Sequence, residues 1–298
     1  MNTKEHVLVL DTLSSTIPHE LKINWLFVKG DLSAIVLPGF LFTLKALSTG
    51  CFTPLEWLQT SILSITYFWI LLSCFCISNQ LIGLEEDQAN KPERPIAAGL
   101  LSPKEATFRL LICTLICLFL GASLGVIGFT ITFLIATYLH NQLHWGHHWI
   151  TKNILTATGI FCTVGAGWQL AMPLNTIIWT WLLVIFGMWT LLGSIQDLRD
   201  LKGDAATGRK TLPVVLGDAN TRIYLSAGFL LLPIVLHVVV APRPFVWTMV
   251  IWDIIFGGMS LMIAIRTFKL RTPKADNKTY KLFTLLFCLM IVSLFFLI

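Results

Sequence analysis

Residues 176–204 read TIIWTWLLVIFGMWTLLGSIQDLRDLKGD, an uncharged apolar run followed by three aspartates, Asp197, Asp200 and Asp204. A helix needs about 20 apolar residues to cross the hydrocarbon core of a bilayer. The run from residue 176 to about residue 200 therefore predicts a membrane-spanning helix with carboxylates at its polar end. Steps of three and four residues place the three aspartates on one face of a helix.

The whole chain has the composition of a membrane protein. Of its 298 residues, 55% are hydrophobic and 12% are charged, and the mean hydropathy is +0.77. Soluble domains are about 25% charged, so we expect a lipid bilayer around this chain and no nucleic-acid partner. About nine apolar runs can span a membrane: 31–48, 54–84, one on each side of 125–128, 153–172, 176–200, 219–240, 244–266 and 280–298.

Lysine and arginine are distributed unequally between the two ends of this predicted bundle. When the loops are numbered alternately, 19 of the 21 basic residues fall on one side, and only Lys45 and Arg243 fall on the other. Basic loops stay in the cytosol, so this side is predicted to be cytosolic. The expected location is the endoplasmic reticulum in a eukaryote or the inner membrane in a bacterium.

The chain is predicted to form one domain, residues 1–298, with a polar N-terminus over about residues 1–30. This segment lacks the apolar stretch of a secretory signal peptide. Its end, His19–Lys29, contains Trp25 and Phe27 and is typical of an amphipathic helix on the membrane surface.

A second acidic cluster ends the second apolar run, where residues 79–95 read NQLIGLEEDQANKPERP. Asn79, Gly83 and Asp87 share a helix face, and Glu86 lies close to it. Carboxylates at a helix C-terminus are disfavoured by the helix dipole and by one another. Mg²⁺ offsets this cost, because it binds oxygen ligands, commonly one or two carboxylates together with substrate phosphates.

Basic residues follow both clusters, Lys91 and Arg94 after the first and Arg209 and Lys210 after the second. Such side chains bind phosphate oxygens through charge-assisted hydrogen bonds. One acidic cluster alone is equally well explained as a solvated loop that ends a helix. Two clusters on the same side, each with a basic tail, favour a site for magnesium and a diphosphate.

These motifs resemble those of the UbiA superfamily of intramembrane prenyltransferases, and the resemblance covers nearly the whole chain. The family's first motif reads NDxxDxxxD, or NQxxDxxxD in homogentisate-type members; Asn79, Gln80 and Asp87 match it. Gly83 stands in place of the middle aspartate. The second motif matches in full as DLRDLKGD followed by GRKT. With the added Glu85 and Glu86, the pattern is most similar to UbiA-type class I terpene cyclases.

The resemblance implies an all-α membrane protein, a bundle around a central cavity that opens toward the cytosol. It implies Mg²⁺ as the cofactor, held by Asn79, Asp87, Asp200 and Asp204 with help from Glu86 and Asp197. The implied diphosphate ligands are Lys91, Arg94, Arg209 and Lys210, with Lys152 and Lys29 as further candidates. The implied prenyl and carbocation pocket contains Trp168, Trp189 and Gln80, because an aromatic face stabilises a cation.

The predicted function is the Mg²⁺-dependent cyclisation of farnesyl or geranylgeranyl diphosphate with release of diphosphate. A prenyltransferase that joins the chain to an aromatic acceptor is the alternative, since Asn79-Gln80 matches homogentisate-type members. A transporter is the third hypothesis, but here the acids cluster at one membrane face rather than at the midplane. His140, His144, His147 and His148 fall in a polar stretch that lacks a neighbouring carboxylate or cysteine, which argues against a metal site there.

Overall fold

The computed structural model describes residues 19–240 and 247–297, and its regular structure there is helical apart from one isolated bridge between His148 and Lys210. Two short 3₁₀ helices, Trp145–His147 and Gly193–Leu198, precede α7 and follow α8. The α-helices are α1 (residues 19–28), α2 (Val36–Thr49), α3 (Pro54–Ile82), α4 (Leu84–Asn90), α5 (Pro103–Ser123), α6 (Ile127–Asn141), α7 (Trp149–Gln169), α8 (Thr176–Leu192), α9 (Leu201–Ala206), α10 (Leu212–Leu216), α11 (Asp218–Val240), α12 (Trp247–Lys269) and α13 (Pro273–Leu297).

Each of the nine predicted apolar runs coincides with one of the long helices in the described ranges. Six of these helices have the length and apolar composition to cross a membrane: α3, α5, α8 with the 3₁₀ helix after it, α11, α12 and α13. Helices α2 and α6 are apolar but shorter, with 14 and 15 residues. The all-helical, multi-pass architecture is confirmed, whereas the count of nine spans stays a prediction.

Helices α3 and α5 begin with the same local structure. Thr53 and Ser102 each accept a hydrogen bond from the backbone N–H three residues on, and the side chains of Glu56 and Glu105 accept from the backbone of the cap residue. This reciprocal arrangement pairs two N–H groups that the first helical turn leaves without partners. A proline at the first helical position completes the start signal in both cases.

The bundle presents apolar side chains outward. Along α5, Phe108, Leu111, Leu115 and Phe119 are all exposed, and Phe119 has 69% of its surface accessible. A continuous apolar face of this kind on a soluble monomer is unusual, but it is the expected surface toward lipid.

Helices α2 and α7 approach each other closely. A side chain at Gly167 of α7 would place its Cβ 2.5 Å from the carbonyl oxygen of Gly39 in α2. Only glycine therefore allows this contact, as is common between helices in membranes.

The N-terminal helix α1 packs on the bundle along one side. Ile23, Phe27 and Val28 are buried, whereas Leu21 and Trp25 are exposed. Helix formation over the predicted amphipathic segment is confirmed, and its position on a membrane surface stays a prediction.

Arg222 joins three helices through what we call the Arg222 cluster (Arg222, Asp218 and Asp276). Its guanidinium binds both carboxylate oxygens of Asp276 in α13 at 2.9 Å and one oxygen of Asp218 at 2.8 Å. It also donates to the carbonyl oxygens of Thr267 and Leu270 at the end of α12. Arg222 and Asp276 are each only 2% exposed, so this is a buried and fully bonded ion pair.

Candidate active site

The two acidic clusters line one cavity of about 180 Å³, which we call the central cavity. Asn79 and Asp87 contribute from the end of α3 and from α4, and Asp200 and Asp204 from the start of α9 and its interior. The two motifs are more than a hundred residues apart in the chain, and folding brings them to the same end of the bundle.

The first cluster spans a break between two helices. Helix α3 ends at Ile82 and α4 begins at Leu84, yet helical hydrogen bonds continue through Gly83, from Gly83 N–H to the carbonyl of Asn79 at 2.9 Å and from Asp87 N–H to the carbonyl of Gly83 at 2.8 Å. Asn79 and Asp87 therefore keep the shared face that their spacing predicts.

Arg94 connects the two ends of this face. Its Nη1 lies 2.8 and 3.0 Å from the carboxylate oxygens of Asp87 and 3.4 Å from Oδ1 of Asn79. Gly83 also lines the cavity, so the position where the first motif lacks its middle aspartate lies beside these groups.

The second cluster divides in a way that the spacing does not predict. Asp200 and Asp204 line the central cavity, but Asp197 is 1% exposed and its carboxylate is bound to Lys152. Asp197 belongs to the 3₁₀ helix Gly193–Leu198, which has three residues per turn instead of 3.6. An i→i+3 hydrogen bond of 3.1 Å from Asp200 N–H to the carbonyl of Asp197 closes this turn, and such a turn keeps the two residues on the same side of the chain. Asp197 is buried by its ion pair with Lys152, which itself lines the central cavity. The shared face of the three aspartates stays a prediction.

Two ion pairs cross between the motifs. Lys91, from the tail of the first motif, lies 3.5 Å from Asp200 of the second. Arg209, from the tail of the second, lies 2.8 Å from Glu86 of the first and 3.4 Å from Asp204. We call Lys91–Asp200 and Arg209–Glu86 the crossed ion pairs. Each motif thus contributes carboxylates to the cavity and also a basic residue that pairs with a carboxylate of the other motif.

The three motif aspartates that line the cavity differ in their electrostatics. Burial raises the pKa of Asp87 and of Asp204 above the ordinary value, although Arg94 counteracts this at Asp87 and Lys152 at Asp204. Burial also acts to raise the pKa of Asp200, but the cations around it, foremost Lys91, outweigh burial and hold that pKa below its ordinary value. Ionising Asp87 and Asp204 therefore costs free energy, whereas the cations around Asp200 favour its ionised form.

The donor set suits a hard cation that shares its shell with a substrate. Oδ2 of Asp197 and Oδ2 of Asp204 are buried and have no hydrogen-bond partner among the described residues. Within residues 19–240 and 247–297, no three His, Cys, Asp or Glu side chains converge as a complete metal site. Mg²⁺ does not require one, because it retains water and takes one or two carboxylates together with phosphate oxygens.

The other predicted site residues are spread over several places. Lys152 and Trp189 line the central cavity. Lys29 and Gln80 line a second cavity of about 820 Å³, which adjoins the first between α1, α2 and α13. Lys210 has an exposed side chain, and its backbone pairs with the residues around His148.

Trp168 lies elsewhere in the bundle. Its ring packs edge-on against Phe42 of α2, and its N–H donates to the carbonyl of Pro173 at 3.0 Å. Trp168 is 2% exposed and lines neither of the two cavities, so its observed contacts are packing contacts.

Sequence reasoning missed Arg199 and Tyr280, which lie where the two cavities meet. Arg199 donates to Asp200 at 3.3 Å and to Asn277 at 2.6 Å, and its guanidinium carbon lies 4.8 Å from the ring centre of Tyr280. The position of Arg199 between two motif aspartates was an available signal. Tyr280 has no comparable signal, because only the tertiary fold brings α13 to the site.

Beyond the charged groups, the central cavity has an apolar wall. Aliphatic and aromatic side chains from the turn before α2 and from α3, α6, α7 and α8 form it, namely Ile35, Leu72, Phe75, Phe133, Leu155, Ile160 and Trp189. The cavity therefore joins a polar end, suited to an anion and its counter-ions, to an apolar chamber.

The UbiA prenyltransferase family matches residues 35–291 of this chain. Somaliensene A/B synthase from Streptomyces somaliensis is 34% identical over 272 residues, which cover 91% of each protein. Diterpene cyclase eriG from Hericium erinaceus is 30% identical and aligns over 92% of this chain and 88% of its own length. Polyprenyl transferase eriF, also from Hericium erinaceus, is 31% identical over 93% of this chain and 94% of its own length.

Among solved structures, a UbiA homolog from Archaeoglobus fulgidus bound to DMAPP and Mg²⁺ has a similar fold. The TM-score is 0.71 at 14% sequence identity, with 92% of this chain and 99% of that protein covered. At this identity the likeness establishes the arrangement of the helices and nothing finer.

Proposed function

Because the chain belongs to the UbiA prenyltransferase family, we propose that it ionises an isoprenyl diphosphate, releases diphosphate and cyclises the carbocation that remains. The substrate class is farnesyl or geranylgeranyl diphosphate, and one domain, residues 1–298, carries the activity. The single observation that carries this proposal is the central cavity, where both acidic motifs and their crossed cations surround one space that opens into an apolar chamber.

Magnesium fits the polar end of the cavity. Asn79, Asp87, Asp200 and Asp204 would hold it, with Glu86 beside them, and the unpartnered oxygen of Asp204 is in keeping with this role. When bound, Mg²⁺ supplies Lewis-acid stabilisation of the negative charge that develops on the departing diphosphate.

The basic side chains of the cavity bind and orient the diphosphate. Lys91, Arg94 and Arg209 each pair with a carboxylate, and phosphate oxygens offer them equivalent acceptors. Because these donors are fixed on two motifs, they place positive charge on opposite sides of the leaving group. Preorganised charge of this kind is usually the largest single contribution to enzymatic catalysis.

The apolar chamber protects the carbocation. Phe75, Phe133 and Trp189 line it, and Tyr280 closes its boundary with the second cavity. Aromatic faces stabilise a cation by about 0.5–2 kcal/mol and expel the water that would quench it. The prenyl chain, held folded in this space, offers its own double bonds as the nucleophile.

Cyclisation is preferred to transfer for two reasons. Gly83 leaves the first motif without its middle carboxylate, and two of the relatives are named somaliensene A/B synthase and diterpene cyclase. Transfer of the prenyl chain to an aromatic acceptor is the second candidate. The similarity to eriF and the second cavity, which shares Arg199 and Tyr280 with the first, support it.

The active site is proposed to face the cytosol, in the endoplasmic reticulum of a eukaryote or the inner membrane of a bacterium. Support comes from the basic residues, 19 of which lie on the side of the acidic motifs when nine spans are counted.

Turnover without an acceptor tests the proposal. Purified protein is incubated with Mg²⁺ and farnesyl or geranylgeranyl diphosphate, diphosphate is quantified, and organic products are identified by gas chromatography with mass spectrometry. Cyclic hydrocarbons or alcohols are expected, and Asp200→Asn should form none. An intact substrate that is consumed only after an aromatic acceptor is added would establish the transferase instead.

A further inference from the structure

His140 is a buried imidazole in the central cavity that the magnesium motifs do not use. Its sequence context predicted a polar loop, but the structure places it in the last turn of α6 with only 8% of its surface exposed. It lines the cavity between the polar end and the apolar wall, and its ring meets Phe75 edge-on at 5.5 Å.

A chain of hydrogen bonds determines which ring nitrogen carries the proton. Arg94 can only donate, so Asn79 turns its amide oxygen toward Arg94 and its NH₂ group toward Asn141. Asn141 must therefore present its oxygen, Oδ1, which lies 2.8 Å from Nδ1 of His140. Nδ1 is consequently the donor, and Nε2 carries the lone pair.

The lone pair of Nε2 is available to a ligand. No described residue forms a hydrogen bond with Nε2, whereas Nδ1 is fixed by Asn141, which itself donates to Ser78 at 2.9 Å. The ring also rests directly on Gly146, since a Cβ at that position would lie 2.5–2.8 Å from three ring atoms. The imidazole is thus held rigidly with its acceptor atom free.

We infer that His140 is the base that ends the reaction by taking a proton from the cyclised carbocation. This inference rests on the proposed function. The C–H bond next to the cationic carbon breaks, its electron pair forms the new C=C bond, and the proton goes to Nε2. Hydrogen bonding of Nδ1–H to Oδ1 of Asn141 stabilises the imidazolium, and the product is a hydrocarbon rather than an alcohol.

The carboxylates of the two acidic motifs are poorer candidates for this step. Each is paired with a cation: Asp87 with Arg94, Glu86 and Asp204 with Arg209, Asp200 with Lys91, and Asp197 with Lys152. Among the described side chains of the cavity, His140 combines an accessible lone pair with a position beside the apolar wall.

The test compares His140→Gln with His147→Gln, the same change at an exposed histidine that does not line the central cavity. Diphosphate release and the organic products are measured separately for each. With His140→Gln, diphosphate release should stay within about threefold of the unmodified protein, because ionisation does not need the base. Formation of the main hydrocarbon should fall by about 10²-fold, with other alkenes or alcohols in its place. His147→Gln should change neither quantity.

Gly146→Ala gives an independent variant should His140→Gln fail to accumulate in the membrane. The added methyl group displaces the imidazole ring, so the product ratio should shift while diphosphate release persists. Unchanged product ratios in both variants, or an unmodified protein whose products are all alcohols, would overturn the role of His140. Failure of the proposed function itself is distinct, since the unmodified protein would then release no diphosphate without an acceptor.

Discussion

Two groups of charged side chains lie at the same end of this bundle and differ in how completely they are bonded. In the Arg222 cluster, the guanidinium makes five hydrogen bonds to two carboxylates and two carbonyls. Around the central cavity, some buried polar atoms have no hydrogen-bond partner among the described residues, namely Oδ2 of Asp204 and Nε of Arg209.

The difference separates a structural ion pair from a binding site. Buried charges are tolerated when every donor and acceptor is satisfied, as at Arg222. In a binding site, charged side chains must give up some of their protein partners to contact a ligand. Such a site therefore keeps oxygens without hydrogen-bond partners and cations that are partly exposed. Lys91 and Asp200 each retain 27% of their side-chain surface, against 2% for Arg222 and Asp276.

Arg222→Met should have the largest effect on stability. The substitution leaves the carboxylate of Asp276 buried without its counter-ion, and removing one partner of a buried pair costs about 3–5 kcal/mol. Unfolding in detergent, followed by circular dichroism against denaturant, measures this. The double variant with Asp276→Asn should recover part of the loss, and a loss below about 1 kcal/mol in the single variant would show that the cluster is not structural.

Asp204→Asn should leave stability almost unchanged and lower activity strongly, the opposite of Arg222→Met. The side chain keeps its size and loses a charge that burial disfavours, so the free energy of unfolding should change by less than about 1 kcal/mol. Diphosphate release should fall by about 10²–10³-fold, the usual cost of removing one electrostatic contact to the transition state.

Asp276→Asn is the matched control, since it is the same substitution in the Arg222 cluster. It should reduce stability and leave the activity of the folded fraction near normal. If Asp276→Asn and Asp204→Asn lowered activity equally, the distinction between the two groups would fail.

The relative placement of residues within the first motif could be predicted from sequence, because a motif is local. The spacing of Asn79 and Asp87 fixes a shared helix face, and the hydrogen bonds through Gly83 preserve that face across the helix break. The burial of Asp197 could not be predicted in this way, because its partner Lys152 lies 45 positions away in α7.

Contacts between distant segments could not be predicted from spacing. Basic residues were expected near the acids, but only the fold shows that Lys91 pairs with the opposite motif, 109 positions away at Asp200. Arg199 contacts Asn277, 78 positions away in α13, and this contact brings Tyr280 to the site. Trp168 was assigned to the pocket for its residue type, whereas its position is set by the packing of α2 on α7.

Ligand binding should stabilise the protein by giving the charged groups of the central cavity new partners. Mg²⁺ together with inorganic diphosphate, at about 100 times its Kd, should raise the stability of the unmodified protein by about 2.7 kcal/mol. The rise should be retained in Arg222→Met, whose cavity is intact, and lost in Asp200→Asn. Thermal unfolding with and without both ligands measures it, and an equal rise in Asp200→Asn would place the ligand elsewhere.

The smallest effect is expected from an ion pair that is well formed but exposed. Nη2 of Arg109 lies 2.6 and 2.7 Å from the carboxylate oxygens of Glu20, which joins α5 to α1, and the Glu20 side chain is 46% exposed. Pairs open to solvent contribute about 0.2–1 kcal/mol, because water and salt screen them. Arg109→Ala should therefore change stability by no more than that and leave diphosphate release unaltered. A loss comparable to that of Arg222→Met would mean that pairing geometry, rather than burial, sets the strength of the ion pairs in this protein.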